Sequence, residues 1–247
     1  MSLHRFIDRI HARNKNDAKL ERQFFKEIAK LGYGRKYRRY VISCKTFAPG
    51  DNAVVPVILK YLDLFEREGC KLQFMNALGV KGFYEASEYL IDEYKKNTPP
   101  SYNQPVLNEV SQTLARIQDE RFIDTYIEFI SDNVTMEAGY IVEMLGNMKV
   151  EKAIPTLINL VDCVAIIPDK WYESVLEEQK FYVSHCAIKA LGKFDDKQLT
   201  EHIEKFLTPE KLDWIKFENA ENERLCKKHV LAEYKRLAEQ AIKSLEK

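Results

Sequence analysis

The sequence predicts an all-α protein in which helix pairs stack into a rod, and two observations lead to this prediction. Only nine of the 247 residues are glycine, about half of average usage, which argues against a β protein with many tight turns. Three similar segments, Ala77-Leu78-Gly79, Met144-Leu145-Gly146 and Ala190-Leu191-Gly192, each end a stretch of apolar residues at helical spacing. A repeated helix pair cannot bury its apolar face alone, whereas stacked copies bury it against each other.

An amphipathic first helix precedes each of these segments. Before Gly192, the residues Val183, Ala187, Ile188 and Leu191 follow an i, i+4, i+5, i+8 pattern, which places them on one face of a helix. A glycine after the last apolar residue commonly ends a helix in the left-handed conformation. The glycines of the three segments are therefore predicted C-terminal caps.

A second helix follows each junction after a few polar residues. Weaker copies of the pattern bring the junctions to residues 47, 78, 117, 145 and 191, and polar loops over 97–105 and 168–178 account for the longer spacings. Pro56 and Pro155 are predicted in the first turns of two second helices, where the missing N–H of proline is not needed. Outside the repeats, amphipathic helices over 17–31 and 220–246 are predicted to cap the two ends.

This order of elements resembles HEAT repeats of the kind named after phycobilisome lyases. The resemblance rests on an apolar helix ending in Leu-Gly, a short polar turn, and a second helix that begins as Ala153-Ile154-Pro155 does. It covers residues 35–207 as about five units and implies a single α-solenoid domain, a right-handed superhelix with helical caps over 1–34 and 208–247. The second helices of such rods usually line the concave face. The fold implies little about chemistry, because such scaffolds host many functions.

The charge is balanced overall and uneven along the chain. Lys+Arg and Asp+Glu both number 38, which excludes a globally basic nucleic-acid binder. Residues 1–50 carry 13 basic and 4 acidic residues, whereas residues 51–195 carry 14 and 23. The longest stretch without a charge has twelve residues, too few for a membrane-spanning helix. With five cysteines and no C-x-x-C pair, reduced thiols and a cytoplasmic location are expected.

Catalytic motifs are absent from the sequence. It has no H-E-x-x-H, no clustered Cys/His ligand set, no G-x-S-x-G and no phosphate-binding glycine loop. Ser184, His185 and Cys186 are adjacent in sequence, so on a helix they point about 100° apart and do not form a relay. We expect no enzyme activity, no cofactor and no metal. An unrecognised enzyme of glycosylase or lyase type, both known among HEAT-like proteins, stays an alternative.

Carboxylates on two predicted second helices suggest a binding surface. Glu85, Glu88 and Asp92 lie opposite an apolar stripe, and Asp124 and Glu128 are displaced from the stripe of the next second helix. If the second helices line the concave face, these five side chains form an acidic groove that attracts a basic segment of a partner protein. The alternative is an ordinary solvated face.

Two further segments are candidate contacts. Tyr37 and Tyr40 are interleaved with cations that could grip phosphates or an acidic partner, with a solvated helix face as the alternative. A polar insertion carries Trp171 and Tyr172, an aromatic pair suited to a contact hot spot or to a lid over a repeat junction. The cations of the first segment are Arg35, Lys36, Arg38 and Arg39.

Overall fold

The computed structural model describes residues 15–33, 42–132, 135–162, 165–167, 175–208, 215–217 and 220–246. These residues are predominantly helical, which confirms the all-α prediction at the level of fold class. The chain divides into two compact units, Met1–Asp119 and Glu120–Lys247. Within the described ranges, no helix is long and apolar enough to span a membrane.

Among the described residues of unit 1, the predicted N-terminal helix comes first and short helices follow it. Its described α-helices are α1 Lys15–Lys30, α2 Val55–Leu62, α3 Glu68–Ala77, α4 Ser87–Asn97 and α5 Gln104–Ile117. Pro56 occupies the first turn of α2, as predicted. Residues 42–50 form turns, so the first helix expected to end near Phe47 does not reach that residue.

Aromatic side chains dominate the core of unit 1. Phe24 of α1 is fully buried and packs edge-to-face against Phe74 of α3 at 4.6 Å and against Tyr61 of α2 at 5.7 Å between ring centroids. Phe65, in the turn between α2 and α3, lies 4.5 Å from Phe74. Offset and edge-to-face pairs of this kind add to the stabilisation by area burial, and they fix α1 on the rest of the unit.

Unit 2 stacks its helices in two sets. Its described α-helices are α6 Ile123–Asp132, α7 Ala138–Asn147, α8 Ile154–Val161, α9 Val175–Leu191, α10 Thr200–Ile203 and α11 Ala220–Leu245. Helix α9 packs between α7 and α11, while α8 contacts both α6 and α10. Pro155 lies in the first turn of α8, and α11 matches the predicted C-terminal helix.

The Leu-Gly glycines do not act as the predicted left-handed caps. Gly79, Gly146 and Gly192 all lack a positive φ, whereas the residues after α5 and α7 that adopt one are Gln118 and Lys149. A Cβ on Gly146 would lie 2.5 Å from Cα of Ala190, and one on Gly192 would lie 2.7 Å from Cα of Ala241. In unit 2 these glycines therefore permit close helix packing rather than a turn.

A short parallel ladder is the exception to the helical fold. Strands β1 (Ala165–Ile167) and β2 (Ile215–Phe217) pair with Ile166 opposite Lys216. Strands of three residues carry too little alternation to be detected from the sequence, since an apolar run of this length also fits a buried helix segment.

Candidate functional site

The predicted acidic face lies on α4 of unit 1 and on the single helical turn before it. The apolar residues expected opposite it are all buried, which orients the helix. Glu85, Glu88 and Asp92 are exposed, and none of them forms an ion pair with any other described residue. The buried residues that anchor the helix are Phe83, Ala86, Leu90 and Tyr94. We call the carboxylates of Glu85, Glu88 and Asp92 the α4 acidic face.

Further carboxylates border the α4 acidic face. The hydroxyl of Tyr89 donates a hydrogen bond of 2.8 Å to Oδ1 of Asp63, at the end of α2. Burial raises the pKa of Tyr89, and the Asp63 hydrogen bond and the Glu93 charge raise it further. Lys96 donates to Oε1 of Glu93 at 2.9 Å, and this bond raises the pKa of Lys96. Lys96 is thus paired with Glu93, and Lys95 is the other exposed cation of α4; the surrounding carboxylates outnumber these two lysines, so the local potential is negative.

The two acidic residues predicted on α6 differ from each other. Both Asp124 and Glu128 are exposed. Asp124 accepts a hydrogen bond from Nζ of Lys152 and is therefore partly neutralised. Glu128 has no ion-pair partner among the residues that the structure describes. A cationic ligand therefore meets less free negative charge on α6 than on α4.

The structure brings three of the five predicted acidic residues together. They form the α4 acidic face in unit 1, while Asp124 and Glu128 belong to unit 2. The basic residues Arg35, Lys36, Arg38 and Arg39 lie outside the described residues, as do Trp171 and Tyr172.

Ser184, His185 and Cys186 form no catalytic relay. Ser184 is buried and donates a hydrogen bond of 2.9 Å to the carbonyl oxygen of Val161. Burial lowers the pKa of His185 to about 4 and raises the pKa of the Cys186 thiol to about 12. At pH 7 the imidazole is neutral and the thiol is protonated, whereas a nucleophilic cysteine needs a thiolate. These side chains pack between α9 and its neighbouring helices.

A groove between α7, α9 and α11 was not indicated by the sequence. It has a volume of about 530 Å³ and a floor of small residues that includes Ala190 and Ala241. Most of its charged rim is already paired: Lys189 lies 3.3 Å from Glu143, and Nε of Arg236 donates to a carboxylate at 2.8 Å. The residues that form it come from three helices far apart in sequence, so no local pattern predicts it.

A cationic surface on α1 was also missed. Lys19, Arg22, Lys26 and Lys30 are exposed and lie within about 80° of one another around the helix at 100° per residue. We call these four side chains the α1 basic face. The charge count of residues 1–50 indicated a basic segment, and the helical spacing of these four cations was the signal that would have located it.

No family model matches this chain, and no curated protein is significantly similar to it. Within the described part of the chain, no cluster of three or more His, Cys, Asp or Glu side chains could hold a metal ion.

Proposed function

We propose that this protein is a non-catalytic scaffold of HEAT-like helix pairs that binds a basic segment of a partner protein through the α4 acidic face. One observation carries the proposal: Glu85, Glu88 and Asp92 are exposed on one helix and have no counter-ion among the described residues. Charges of one sign at i, i+3 and i+7 repel each other when the surface is unoccupied. A lysine- or arginine-rich segment removes that repulsion and is drawn to the surface by the local potential.

The packing within unit 2 supports the repeat part of the proposal. The first helices of successive pairs, α7, α9 and α11, lie side by side, and the second helices α6, α8 and α10 do the same. Stacking of this kind is how repeated helix pairs bury their apolar faces.

The two acidic helices are proposed to contribute unequally. Asp124 is already bound to Lys152, so a cationic ligand must displace an existing ion pair there. Exposed ion pairs contribute little to stability, so breaking this pair costs little, but the cost still reduces the favourable free energy of binding. We therefore assign the contact with the basic segment to α4.

The thiols agree with a cytoplasmic site of action. Cys44, Cys70 and Cys186 form no disulfide with another described residue, which is the state favoured in a reducing compartment. A basic segment of a cytoplasmic protein is therefore the proposed ligand.

The proposal is tested by fluorescence anisotropy with a fluorescein-labelled peptide rich in lysine and arginine. The wild-type chain is compared with the triple variant Glu85→Gln, Glu88→Gln and Asp92→Asn. The matched control replaces three exposed carboxylates of unit 2 that form no ion pair within the described residues. These control substitutions are Glu151→Gln, Glu204→Gln and Glu239→Gln.

We expect the α4 variant to bind the peptide about tenfold to a hundredfold more weakly, at about 0.5–1 kcal/mol for each exposed charge. The control should bind within about threefold of wild type. Equal affinity of the α4 variant and wild type, with both proteins folded by circular dichroism, would overturn the proposal. Removing Glu128 alone should have a smaller effect than removing the α4 acidic face.

A further inference from the structure

The carboxylates of α1 are turned away from solvent or neutralised. Asp17 is almost fully buried and accepts a hydrogen bond of 3.1 Å from the backbone N–H of Glu66. Glu21 is also buried. Glu27 accepts hydrogen bonds from Nζ of Lys60 at 2.7 Å and from the hydroxyl of Tyr61 at 2.8 Å. None of the three is left on the outer surface as an exposed, unpaired charge.

The cations of α1, unlike its carboxylates, are exposed and form no ion pair among the described residues. Lys19, Arg22, Lys26 and Lys30 are all exposed and form no ion pair with another described residue. The α1 basic face is therefore positive over the twelve residues from Lys19 to Lys30, a length of about 16 Å. One strand of a duplex carries a phosphate about every 3.4 Å along its axis, so this length runs beside about five phosphates.

A shallow groove widens this surface. It lies between α1 and α2, has a volume of about 380 Å³, and its polar lining consists of Lys26, Lys30 and Lys60 with the amide of Gln23 and the carboxylate of Glu27. Lys60 is held at its edge by Glu27. Leu64, also in the lining, is about half exposed, so it offers an apolar surface beside the cations that a sugar ring can cover.

We propose that the α1 basic face and this groove bind the phosphodiester backbone of nucleic acid without reading its bases. Evenly spaced cations along a straight helix match a ligand whose charges are evenly spaced. Among the residues that the structure describes, no exposed aromatic ring lines the groove, since Tyr61 is buried; these residues therefore offer no base stacking of the kind that single-strand binders use. Affinity then comes from phosphate contacts alone.

A membrane surface fits this helix less well. A helix that lies on a bilayer inserts an exposed apolar face below its basic side chains. The apolar face of α1 is instead buried within unit 1, where Phe24 and Ile28 are almost completely inaccessible. The basic surface is thus free for a ligand, while the apolar surface is not.

The site is independent of the proposed scaffold function, because it uses a different helix and a ligand of opposite charge. Loss of nucleic-acid binding on changing α1 therefore says nothing against peptide binding by α4. The converse also holds, so failure of either proposal is recognised separately.

The experiment measures anisotropy of fluorescein-labelled single-stranded and double-stranded DNA of about fifteen nucleotides, three times the length beside the face. The full chain is titrated at several salt concentrations. The test variant carries Lys19→Gln, Arg22→Gln, Lys26→Gln and Lys30→Gln. The control variant replaces four exposed lysines elsewhere that form no ion pair within the described residues. These control substitutions are Lys81→Gln, Lys95→Gln, Lys193→Gln and Lys235→Gln.

We expect wild type and control to bind DNA and the test variant to bind at least about tenfold more weakly at low salt. Because each phosphate contact to a single strand contributes about −0.7 to the slope of log K against log salt, losing four contacts should flatten that slope by about three. With a duplex, each lost contact should flatten the slope of log K against log salt by about 0.9. The single-stranded and double-stranded probes should therefore give different changes in slope.

Three results would overturn the proposal. One is the absence of DNA binding by the wild-type chain at low salt. Another is an unchanged salt slope in the test variant while circular dichroism shows it folded. The third is equally tight binding of a glutamate-rich peptide or of anionic lipid vesicles at matched charge, which would assign the face to another class of ligand.

Discussion

Helices α1 and α4 of unit 1 present surfaces of opposite charge although each contains both acidic and basic residues. In α1 the acidic residues Asp17 and Glu21 are buried, and the exposed charged residues are cationic. In α4 the carboxylates Glu88 and Asp92 are exposed together with Lys95, while Lys96 is engaged by Glu93. The charge of a helix surface is therefore decided by which charges the interior and the neighbouring side chains take, and not by the composition of the helix alone.

The physical cause lies in what each helix packs against. The N-terminal turn of α1 meets the start of α3, where the N–H of Glu66 points at Asp17. A carboxylate is a strong acceptor for such donors, so burial of Asp17 is compensated. The inner side of α4 is formed by its own buried residues, such as Leu90 and Tyr94, while its carboxylates Glu88 and Asp92 stay in water. The predictions below change one side of this contrast at a time.

The largest effect is expected where the core holds α1 in place. Phe24→Ala removes a fully buried ring that contacts both Phe74 and Tyr61, and should lower the free energy of unfolding by about 3–5 kcal/mol. The matched control is Leu31→Ala, because Leu31 is 40 % exposed, and should cost far less. Urea denaturation followed by circular dichroism measures both. Similar losses in the two variants would mean that α1 is not anchored by its inner face.

The next-largest effect is expected when the loss of a buried carboxylate is compared with the loss of an exposed one. Asp17→Ala leaves the N–H of Glu66 without its acceptor, so we expect a loss of about 1–3 kcal/mol in the free energy of unfolding. Asp92→Ala changes an exposed residue of α4 and should stay within about 0.5 kcal/mol of wild type. The same denaturation experiment measures this pair. If Asp92→Ala proves as destabilising as Asp17→Ala, the contrast between the two helices fails.

A smaller effect is expected from the hydrogen bond beside the α4 acidic face. Tyr89→Phe removes the donor to Asp63 and should lower the free energy of unfolding by about 0.5–1.5 kcal/mol. It also frees a carboxylate, so binding of the basic peptide should be maintained or slightly strengthened. Thermal denaturation and the peptide titration measure the two effects. Weaker peptide binding would show that Tyr89 itself contacts the ligand.

The smallest effect is a change in titration. Hydrogen bonds from Lys60 and then from Tyr61 lower the pKa of Glu27, and the charge of Lys30 acts in the same direction. Because the pKa is lower in the folded state, the stabilisation by Glu27 exists above its ordinary pKa and is lost as the pH falls through the lowered value. In Lys60→Gln the pKa should rise toward the ordinary range, as measured by NMR titration of the Glu27 carboxyl carbon. An unchanged pKa would contradict the Lys60 contact.

The fold was largely predictable because amphipathic periodicity is a local signal. The helices around Phe24, Leu90 and Pro155 appear where their apolar spacing or first-turn proline placed them. The role of Gly146 was not predictable in the same way, because its close approach to Ala190 joins residues 44 positions apart. The same limit applies to the β1–β2 ladder, whose strands are also distant in sequence.

The candidate surfaces were predictable in part. Helical-wheel geometry was enough to predict that Glu85, Glu88 and Asp92 are exposed, since the apolar residues beside them identify the buried side of the helix. It did not reveal that Asp124 is bound by Lys152, because that contact crosses from α6 to the turn before α8. The α1 basic face likewise carries no exposed negative charge only because Asp17 and Glu27 bind residues outside α1.

The central claim is that α1 and α4 are two separate binding surfaces of opposite charge. The most direct measurement titrates the basic peptide and the DNA against the same two proteins, the α1 quadruple variant and the α4 triple variant. The account predicts a crossed result, in which the α1 variant loses affinity for DNA alone and the α4 variant loses affinity for the peptide alone. If either variant loses affinity for both probes, or neither variant loses affinity for any, the two surfaces are not the binding sites assigned to them.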